Sequence, residues 1–372
     1  MDEITMLTYK YRLYPNKTQQ DKLWKHASKL NWIYNYFLNQ RIEVYEKEKK
    51  SITRLQQQTE LTQLRNKDKE LKQMHSQVLQ QVTLRLEKTY KRFFKMGYGF
   101  PKFRSCRKFF GICYPQGGYS IEHNYFITKI YGRIKLNKHR EIKGNIKQVY
   151  ITSENNKWYI CVTTDYDKSK ANVNQSIGID LGITNIVATS EGVIYPNAGH
   201  AKYFDKQINK LKSRRDKQCK KGSRQFKFLS SAIQKLYDVK SCKINDFLHK
   251  LSYQLSQKYD TVFYEDLDLK KMSEGKITGI NRELRNSQIA KFVSYLQYKI
   301  KNTIKVNPMN TSRTCNACGK LQKMPLHKRI YECGCGYRED RDINAAKNIY
   351  CLGRAFLVTG KSVAIQEALA FK

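Results

Sequence analysis

Hydrophobic and polar residues alternate at the start of the chain and then change to a helical period. Residues 6–14 have the period-two pattern of a strand that stops at Pro15, and Asn16 and Thr18 then offer helix N-caps. Apolar residues next recur at helical spacing in two stretches. These predict two amphipathic helices, whose buried faces are formed by Leu23, Ala27, Leu30, Tyr34 and Phe37 and by Leu79, Val82, Leu86, Tyr90 and Phe93.

Short alternating runs return between residues 100 and 166. Residues 148–153 and 157–162 are strand-like and flank Glu154-Asn155-Asn156, which is typical of a hairpin. A small β-barrel is the expected product. Because its first strand precedes the helices and its other strands follow them, we expect the helices to be an insertion into the barrel. The polar, irregular residues 167–175 are the predicted linker.

The second half of the chain contains apolar runs that carry acids. Residues 176–182 surround Asp180, and two more strand-like runs follow at 185–189 and 192–195. Consecutive hairpins of this kind are typical of the start of a ribonuclease-H-like sheet. A long basic helical region then leads to a second apolar strand, residues 261–265, which ends at Glu265.

The charge balance indicates the kind of partner. The 372 residues include 70 Lys and Arg against 32 Asp and Glu, which leaves a net charge of +38. An enzyme of small metabolites would gain only self-repulsion from this excess, whereas a polyphosphate partner releases counterions for each phosphate neutralised. A merely soluble basic surface is the alternative. The 26 Tyr and 16 Phe interleaved with the cations also offer stacking on unpaired bases.

The sequence predicts no membrane partner. No apolar stretch approaches the ~20 residues that span a bilayer. The first residues, Met1-Asp2-Glu3-Ile4, lack a basic region that leads into a hydrophobic one. We therefore expect a cytoplasmic protein, in a reducing compartment that suits cysteines used for metal rather than for disulfides.

Four of the ten cysteines form two tight pairs. Cys315-x-x-Cys318 and Cys333-x-Cys335 are each followed by a glycine, and this spacing predicts a tetrahedral Zn²⁺ site with Zn–S bonds of ~2.3 Å. Four unrelated core thiols are the alternative interpretation. The second pair is C-x-C rather than the commoner C-x-x-C, so its geometry is tighter. The other six are expected to be reduced and mostly structural: Cys106, Cys113, Cys161, Cys219, Cys242 and Cys351.

Three acids are candidates for a second, catalytic metal site. Asp180 and Glu265 lie in apolar strands, and Asp342 opens a predicted helix directly after the second cysteine pair. A carboxylate is costly to bury alone and several together repel, but divalent cations remove both costs. We therefore expect two divalent cations, ~3.5–4 Å apart, that support hydrolysis of a phosphodiester.

The identity of two of these acids stays open at this point. Asp266 or Asp268 could replace Glu265 as the ligand from the second strand, although strand alternation places Asp266 on the opposite face. Asp340 could replace Asp342. All of these acids could instead cap turns or pair with the abundant lysines.

Together these residues resemble TnpB, the transposon-encoded family related to the type V CRISPR effectors. The resemblance covers residues 6–352 and rests on six motifs, which are Tyr11-Arg12-Leu13-Tyr14-Pro15, Phe100-Pro101-Lys102-Phe103, Gly178-Ile179-Asp180-Leu181-Gly182, Glu265-Asp266-Leu267, Thr311-Ser312-Arg313-Thr314-Cys315-Asn316-Ala317-Cys318-Gly319 and Asp340-Arg341-Asp342-Ile343-Asn344-Ala345-Ala346.

The resemblance implies an α+β, multidomain fold. Its expected parts are a wedge β-barrel (1–15 and 100–166), an inserted helical recognition lobe (16–99), a split RuvC, ribonuclease-H-like nuclease domain (175–310 and 339–352), a zinc-binding knuckle (311–338) and a C-terminal tail (353–372). In this family Asp180, Glu265 and Asp342 correspond to the RuvC triad that holds magnesium, and Cys315, Cys318, Cys333 and Cys335 to the zinc ligands.

The resemblance also implies a function, that of an RNA-guided DNA endonuclease of a transposable element. Its expected partners are a guide RNA from the transposon end and double-stranded DNA beside a short transposon-adjacent motif, in the cytoplasm and with the nucleoid. An RNA-guided repressor without cleavage and an RNA-independent transposase are the alternatives. Further candidate contacts are Ser76, Gln77, Gln80 and Gln81 for the adjacent motif, Arg329 for the scissile phosphate and Asn344 for orienting Asp342.

Overall fold

The computed structural model describes residues 5–166, 175–197, 199–268, 288–325 and 327–371. The chain divides into two compact units, residues 1–167 and 168–372. The predicted linker at 167–175 lies outside the described residues, except for Gln175. None of the helices in the described ranges combines the length and the apolar character that crossing a membrane requires.

The first unit begins with a strand, continues with helices and returns to strands. Its elements are β1 (Thr5–Tyr14), α1 (Lys17–Glu48), α2 (Arg54–Lys67), α3 (Lys69–Gln73), α4 (Ser76–Met96), β2 (Ile112–Tyr114), β3 (Ser120–Glu122), β4 (Tyr125–Thr128), β5 (Gly132–Asn137), β6 (Ile146–Glu154) and β7 (Lys157–Tyr166). The helices are therefore inserted in the chain between β1 and β2, as the sequence predicts.

One curled antiparallel sheet contains all seven strands of this unit, in the order β2-β6-β7-β1-β5-β4-β3. The predicted hairpin is confirmed: β6 pairs with β7 from Glu154 opposite Lys157 onward. Its turn residues Asn155 and Asn156 have positive φ angles of 50° and 59°, which asparagine tolerates better than most residues. Closure of this sheet into a barrel stays a prediction.

The two predicted amphipathic helices are also present. Asn16 caps α1: its side chain accepts from the backbone N–H of Gln19, and the Gln19 side chain accepts in return from the N–H of Asn16. Leu23 on α1 and Leu79 on α4 belong to the same buried cluster as Tyr11 of β1. The apolar faces of the inserted helices therefore share one core with the sheet.

The second unit alternates strands and helices. Its elements are β8 (Ser176–Asp180), β9 (Asn185–Thr189), β10 (Ile194–Pro196), α5 (His200–Gln218), α6 (Arg224–Lys258), β11 (Thr261–Glu265), α7 (Ile289–Lys299), β12 (Asn302–Val306), β13 (Ile330–Glu332), β14 (Arg338–Asp340), α8 (Arg341–Thr359), α9 (Ile365–Ala368) and a 3₁₀ turn at Leu369–Phe371.

Five of these strands form a mixed sheet in the order β10-β9-β8-β11-β12. The neighbours β8, β9 and β10 are antiparallel, whereas β11 runs parallel to both β8 and β12. On the long helix α6, Leu248, Leu251 and Leu255 are buried in one cluster with residues of this sheet. The remaining strands, β13 and β14, form a separate two-stranded sheet.

Two glycines let α8 lie close to the sheet. A Cβ atom at Gly178 of β8 would stand 2.4 Å from the backbone oxygen of Ala346, and one at Gly353 of α8 would stand 2.0 Å from the Phe263 ring. Real Cβ atoms essentially never approach so closely. The small residues therefore permit direct packing of the helix on β8 and β11.

The prediction that residues 353–372 form a C-terminal tail needs correction. Helix α8 continues to Thr359, and Ile365 and Ala368 of α9 are buried in one cluster with Phe263 and Val306. Small and branched apolar residues at helical spacing explain this packing. The segment is short, so this spacing is hard to recognise in the sequence. The segment is part of the second unit.

Candidate metal centres and nucleic-acid surface

Three acids meet at one edge of the five-stranded sheet. Asp180 is the last residue of β8 and Glu265 the last residue of β11, and the parallel register pairs Ile179 with Tyr264. Parallel neighbouring strands end at the same edge of a sheet. Asp180 and Glu265 each come directly after one of these paired residues, so both carboxylates lie at that edge. Asp342 lies in the first turn of α8, which packs on β8. The structure therefore brings the three sequence-predicted acids together.

Loss of solvent and mutual repulsion raise the pKa values of two acids in this cluster. Desolvation by the surrounding protein and the charges of Glu265 and Asp342 raise the pKa of Asp180 well above its usual value, while Arg341 opposes this. Burial also raises the pKa of Glu265, which the hydroxyl of Thr311 partly offsets. Both shifts disfavour the ionised form, and a bound divalent cation would reverse this preference.

The alternative metal ligands Asp266, Asp268 and Asp340 are either exposed or hydrogen-bonded elsewhere. Asp266 is exposed and lies 2.8 Å from the Lys305 Nζ, whereas Glu265 is 8% exposed. Asp268 is exposed as well. Asp340 caps α8, because its Oδ1 accepts from the N–H of Asp342 at 2.8 Å and from the N–H of the next residue at 3.4 Å. The geometry therefore favours Glu265 and Asp342.

One side-chain amide and two guanidinium groups lie near the Asp342 carboxylate. The Asn185 amide donates to Oδ2 at 3.1 Å, and the Arg341 guanidinium lies 3.4 Å from Oδ1. Arg329, predicted to reach a phosphate, has one guanidinium nitrogen 4.0 Å from Oδ2 while its side chain stays 53% exposed. Asn185 and Thr311 belong to no metal-ligand pattern, so the sequence motifs do not predict their contacts with Asp342 and Glu265.

Asn344 has a different role from the expected one. Its amide donates to the Thr314 backbone oxygen at 2.9 Å, and its Oδ1 accepts from the Asn316 N–H at 3.0 Å. Two residues along an α-helix turn the side chain by ~200°, so Asn344 faces away from Asp342. It contacts the cysteine loop instead of the acid.

The four paired cysteines form a compact cluster. Among the described residues, their ligand atoms lie within 4.8 Å of one another. The sulfurs of Cys315 and Cys335 are 3.8 Å apart and those of Cys318 and Cys333 are 3.6 Å apart. A tetrahedron with Zn–S bonds of ~2.3 Å requires S···S separations of ~3.8 Å. The donor set and its spacing therefore fit zinc.

Two short backbone loops shape this cluster. The N–H of Gly319 donates to Cys315 O at 2.9 Å, and the N–H of Gly336 donates to Cys333 O at 3.0 Å. Both glycines have positive φ angles, 76° and 88°, which side chains rarely adopt. A backbone N–H from Lys320 holds the pKa of the Cys318 thiol down to about 7, which favours the thiolate that binds metal.

The predicted motif-reading residues lie on α4 in the first unit. Ser76 and Gln80 are exposed, and Gln77 and Gln81 are partly exposed. The side-chain oxygen of Gln77 is buried without a hydrogen-bond partner. Ser76 and Gln80 are therefore the members of this set that present most surface to a ligand.

The end of α4 and the loop after it carry exposed aromatic rings. Phe94, Tyr98 and Phe103 are 74%, 61% and 56% exposed, and Phe93 contacts both Phe94 and Phe100 at centroid distances of 5.0 and 5.4 Å. Residues 88–121 contain eight Lys and Arg, which are Lys88, Lys91, Arg92, Lys95, Lys102, Arg104, Arg107 and Lys108, and no acid. We call residues 90–104 the aromatic surface; its chemistry suits bases and phosphates.

Three known domain families match parts of the chain. Residues 159–276 match OrfB_IS605, described as "Probable transposase", and residues 290–349 match "Cas12f1-like, TNB domain". Residues 1–50 match a family described as a helix-turn-helix domain. In this structure, residues 5–48 form β1 followed by the single long helix α1.

Relatives match almost the whole chain. A protein of Escherichia coli (strain K12) named "Putative RNA-guided DNA endonuclease InsQ" is 26% identical over 95% of this chain and 94% of its own length. A Streptomyces pristinaespiralis protein named as an endonuclease of the same kind is 25% identical over 96% of this chain and 92% of its own. The chain is a TnpB-type relative of the type V effectors.

A solved structure supports the fold of this TnpB-type chain. The Cas12f1 chain of a Cas12f1-sgRNA-target DNA complex superimposes with a TM-score of 0.54 at 15% identity, over 93% of this chain and 99% of that one. The likeness extends across strands and helices of a mixed α/β architecture. At this identity it establishes the fold alone.

Proposed function

We propose that this TnpB-type chain is an RNA-guided DNA endonuclease that cleaves guide-matched DNA beside a transposon-adjacent motif. The observation that carries the proposal is the meeting of Asp180, Glu265 and Asp342 at one edge of the five-stranded sheet. The names of its two near full-length relatives support the same activity. The net charge of +38 supports a nucleic-acid partner.

The sheet topology supports a RuvC, ribonuclease-H-like nuclease. The strands β10, β9 and β8 are mutually antiparallel, and β11 and β12 then follow parallel to β8, in the order β10-β9-β8-β11-β12. Asp180 ends the central strand β8 and Glu265 ends the adjacent strand β11. This strand order places Asp180 and Glu265 at one edge of the sheet, and α8 contributes the third acid, Asp342, from outside the sheet.

The acids suit Mg²⁺ because their carboxylate oxygens are hard ligands. Two bound Mg²⁺ ions would activate water and stabilise the leaving oxygen of a phosphodiester. Asn185 orients Asp342 through its amide, and Thr311 holds Glu265 through its hydroxyl. The guanidinium groups of Arg329 and Arg341 place positive charge beside the acids, where an approaching phosphate would meet it.

The four cysteines suit a structural zinc ion that fixes the loops before α8. Guide pairing would read the target sequence, while the protein supplies positive charge, recognition of the adjacent motif and the catalytic acids. Within that division, Ser76 and Gln80 on α4 are our candidates for the adjacent motif, with Gln77 and Gln81 beside them. The aromatic surface is our candidate for stacking on unpaired guide bases.

The deciding experiment measures Mg²⁺-dependent cleavage of a guide-matched duplex by single alanine variants. We expect Asp180→Ala, Glu265→Ala and Asp342→Ala each to lose nearly all cleavage, at least ~10³-fold, and to retain guide and target binding. The triple variant should be hardly worse, because the three acids act as one unit.

Matched controls are available next to the acids. Asp266→Ala removes an exposed acid beside Glu265 and should cut at the wild-type rate. If Asp342→Ala cut normally, Asp340 would become the third ligand. Normal cutting by all three variants would refute the nuclease assignment, binding without cutting by the wild type would indicate a repressor, and cutting without copurified RNA would indicate an RNA-independent transposase.

A further inference from the structure

Thr311 contacts the acid cluster from the loop that leads into the cysteine cluster. Its hydroxyl lies against Glu265 Oε1, and both residues are nearly enclosed, with 2% and 8% of their surfaces exposed. The same hydroxyl oxygen lies 3.2 Å from the Pro308 backbone oxygen. A hydroxyl has one proton, and a charged acceptor binds it more strongly than a carbonyl does. The Thr311 hydroxyl therefore donates to the Glu265 carboxylate rather than to the Pro308 carbonyl.

Two buried asparagines hold the loop that carries Thr311. Asn344 and Asn348 are one turn apart on α8, and both are fully enclosed. The Asn348 amide donates at 2.8 Å to the backbone oxygens of Thr311 and Thr314, and the Asn344 amide donates to Thr314 O at 2.9 Å. The loop is thus fixed to the same helix that carries Asp342.

The network extends to the first cysteine pair. Asn316, which follows Cys315, donates its backbone N–H to Asn344 Oδ1 at 3.0 Å and its side-chain amide to Asn348 Oδ1 at 3.1 Å. Asn344 and Asn348 therefore each donate and accept. A buried network with its donors and acceptors paired permits one arrangement and makes any other costly.

We propose that Thr311 is a positioning residue for Glu265, which it holds so that one carboxylate oxygen is occupied and the other is directed to a divalent cation. The proposal rests on the proposed nuclease function. The asparagine network supports it, because a loop tied to α8 keeps Thr311, Glu265 and Asp342 in fixed relation. Holding a ligand in place lowers the ordering cost of binding the ion.

A structural role for the same hydroxyl makes a different prediction. If Thr311 merely satisfied a buried acceptor, its loss would lower thermal stability and leave the Mg²⁺ dependence of the remaining folded protein unchanged. If it positions Glu265, its loss raises the Mg²⁺ concentration that half-saturates cleavage. The two roles are therefore separated by a metal titration at constant guide and target.

Thr311→Val removes the hydroxyl and keeps the shape, whereas Thr311→Ser keeps the hydroxyl. We expect the valine variant to need about fivefold more Mg²⁺ for half-maximal cleavage and to approach the wild-type rate at saturation, and the serine variant to stay within about twofold of wild type. Thr314→Val is the matched control: Thr314 is equally buried, but its hydroxyl donates to Asn310 O and not to an acid.

A second measurement does not depend on catalysis. Fe²⁺ added with ascorbate and peroxide in place of Mg²⁺ produces hydroxyl radicals that cut the backbone near a bound ion, and mass spectrometry of the RNA-bound full chain locates these cuts. We expect cuts near residues 180 and 265, with half-maximal yield at about fivefold more Fe²⁺ in Thr311→Val than in wild type or Thr314→Val.

Each outcome decides the proposal. Unchanged Fe²⁺ and Mg²⁺ requirements in Thr311→Val, or equal shifts in Thr311→Ser and Thr311→Val, would overturn it. If the wild type bound Fe²⁺ at these residues without cutting DNA, the proposed nuclease function would fail, while the Fe²⁺ titration would still report whether Thr311 positions Glu265.

Discussion

Two acids of the cluster each have a neutral hydrogen-bond donor. Glu265 accepts from the Thr311 hydroxyl and Asp342 accepts from the Asn185 amide. A neutral donor fixes the orientation of a carboxylate without cancelling its charge, unlike the lysine that pairs with Asp266. Asp342 also lies 3.4 Å from the Arg341 guanidinium and 4.0 Å from that of Arg329, whereas Glu265 is held by the neutral Thr311 hydroxyl.

The buried His26 makes the first unit sensitive to acid. Burial and the nearby charges of Lys22 and Lys25 lower its pKa to about 4, against an opposing effect of Glu70, and its Nδ1 lies 2.7 Å from the Tyr131 hydroxyl. The folded state therefore excludes a proton that the unfolded chain binds below its usual pKa of ~6.5. Stability is fully present above that pH and falls as the pH drops toward 4.

We expect the free energy of unfolding to fall by about 2 kcal/mol between pH 7 and pH 5 because of this histidine, since over the ~1.5 pH units below 6.5 the unfolded chain binds a proton that the folded state excludes. Denaturant titrations of the wild type and His26→Gln at both pH values measure it. The variant should lack this part of the pH dependence. Parallel losses in both proteins would contradict the assignment to His26.

At the scale of elements, the start of α8 joins the two candidate metal centres. Asp340 caps the helix and Asp342 belongs to the acid cluster, while Asn344 and Asn348 contact the loop that contains Cys315. One helix thus contributes to both centres on successive turns. Disorder at the cysteine cluster would therefore reach the acids through α8.

Zinc removal tests this connection. We expect one Zn²⁺ per chain after purification, and Cys315→Ser/Cys318→Ser should lose the ion and lower the melting temperature of the second unit by several degrees or more, because a structural site contributes folding energy directly. Metal analysis and thermal melting are the measurements. Cys242→Ser, which removes an exposed cysteine outside the cluster, is the control. Stoichiometric zinc in the double variant would refute the site.

Local pattern predicts strands and helices here, but not contacts between distant residues. Alternation identifies β1 and the β6–β7 hairpin, and an acid within an apolar run singles out Asp180 and Glu265. The Thr311–Glu265 contact joins residues 46 apart, so it depends on how the loop after β12 returns to the sheet. Proximity in sequence predicts that Asn344 orients Asp342, but helical rotation directs the Asn344 side chain to the cysteine loop.

Across the whole molecule, the charge of +38 is expected to dominate binding of the proposed guide RNA. We expect affinity for guide RNA to fall at least ~10³-fold between 50 and 200 mM salt, because many phosphates are neutralised together. A filter-binding titration over that range measures the slope of affinity against salt. An affinity independent of salt would contradict the electrostatic argument.

The aromatic surface allows stacking to be separated from charge. Phe94→Ala/Tyr98→Ala should weaken guide binding by ~1–3 kcal/mol for each ring that stacks on a base and leave the salt slope unchanged, because stacking releases no counterions. Lys91→Ala/Lys95→Ala in the same segment is the matched contrast and should lower the slope by about 1 for each phosphate that is no longer neutralised. Equal effects of both variants on the slope would exclude stacking.

The three acids come from residues 180, 265 and 342, so no early portion of the chain contains them all. During synthesis on a ribosome, β8 emerges before β11, and α8, which packs on both strands, emerges last of the three. A nascent chain that has not yet released α8 lacks Asp342 and the network around Thr311. Translation itself thus delays the proposed cutting activity, and truncated products that stop before α8 are expected not to cut DNA.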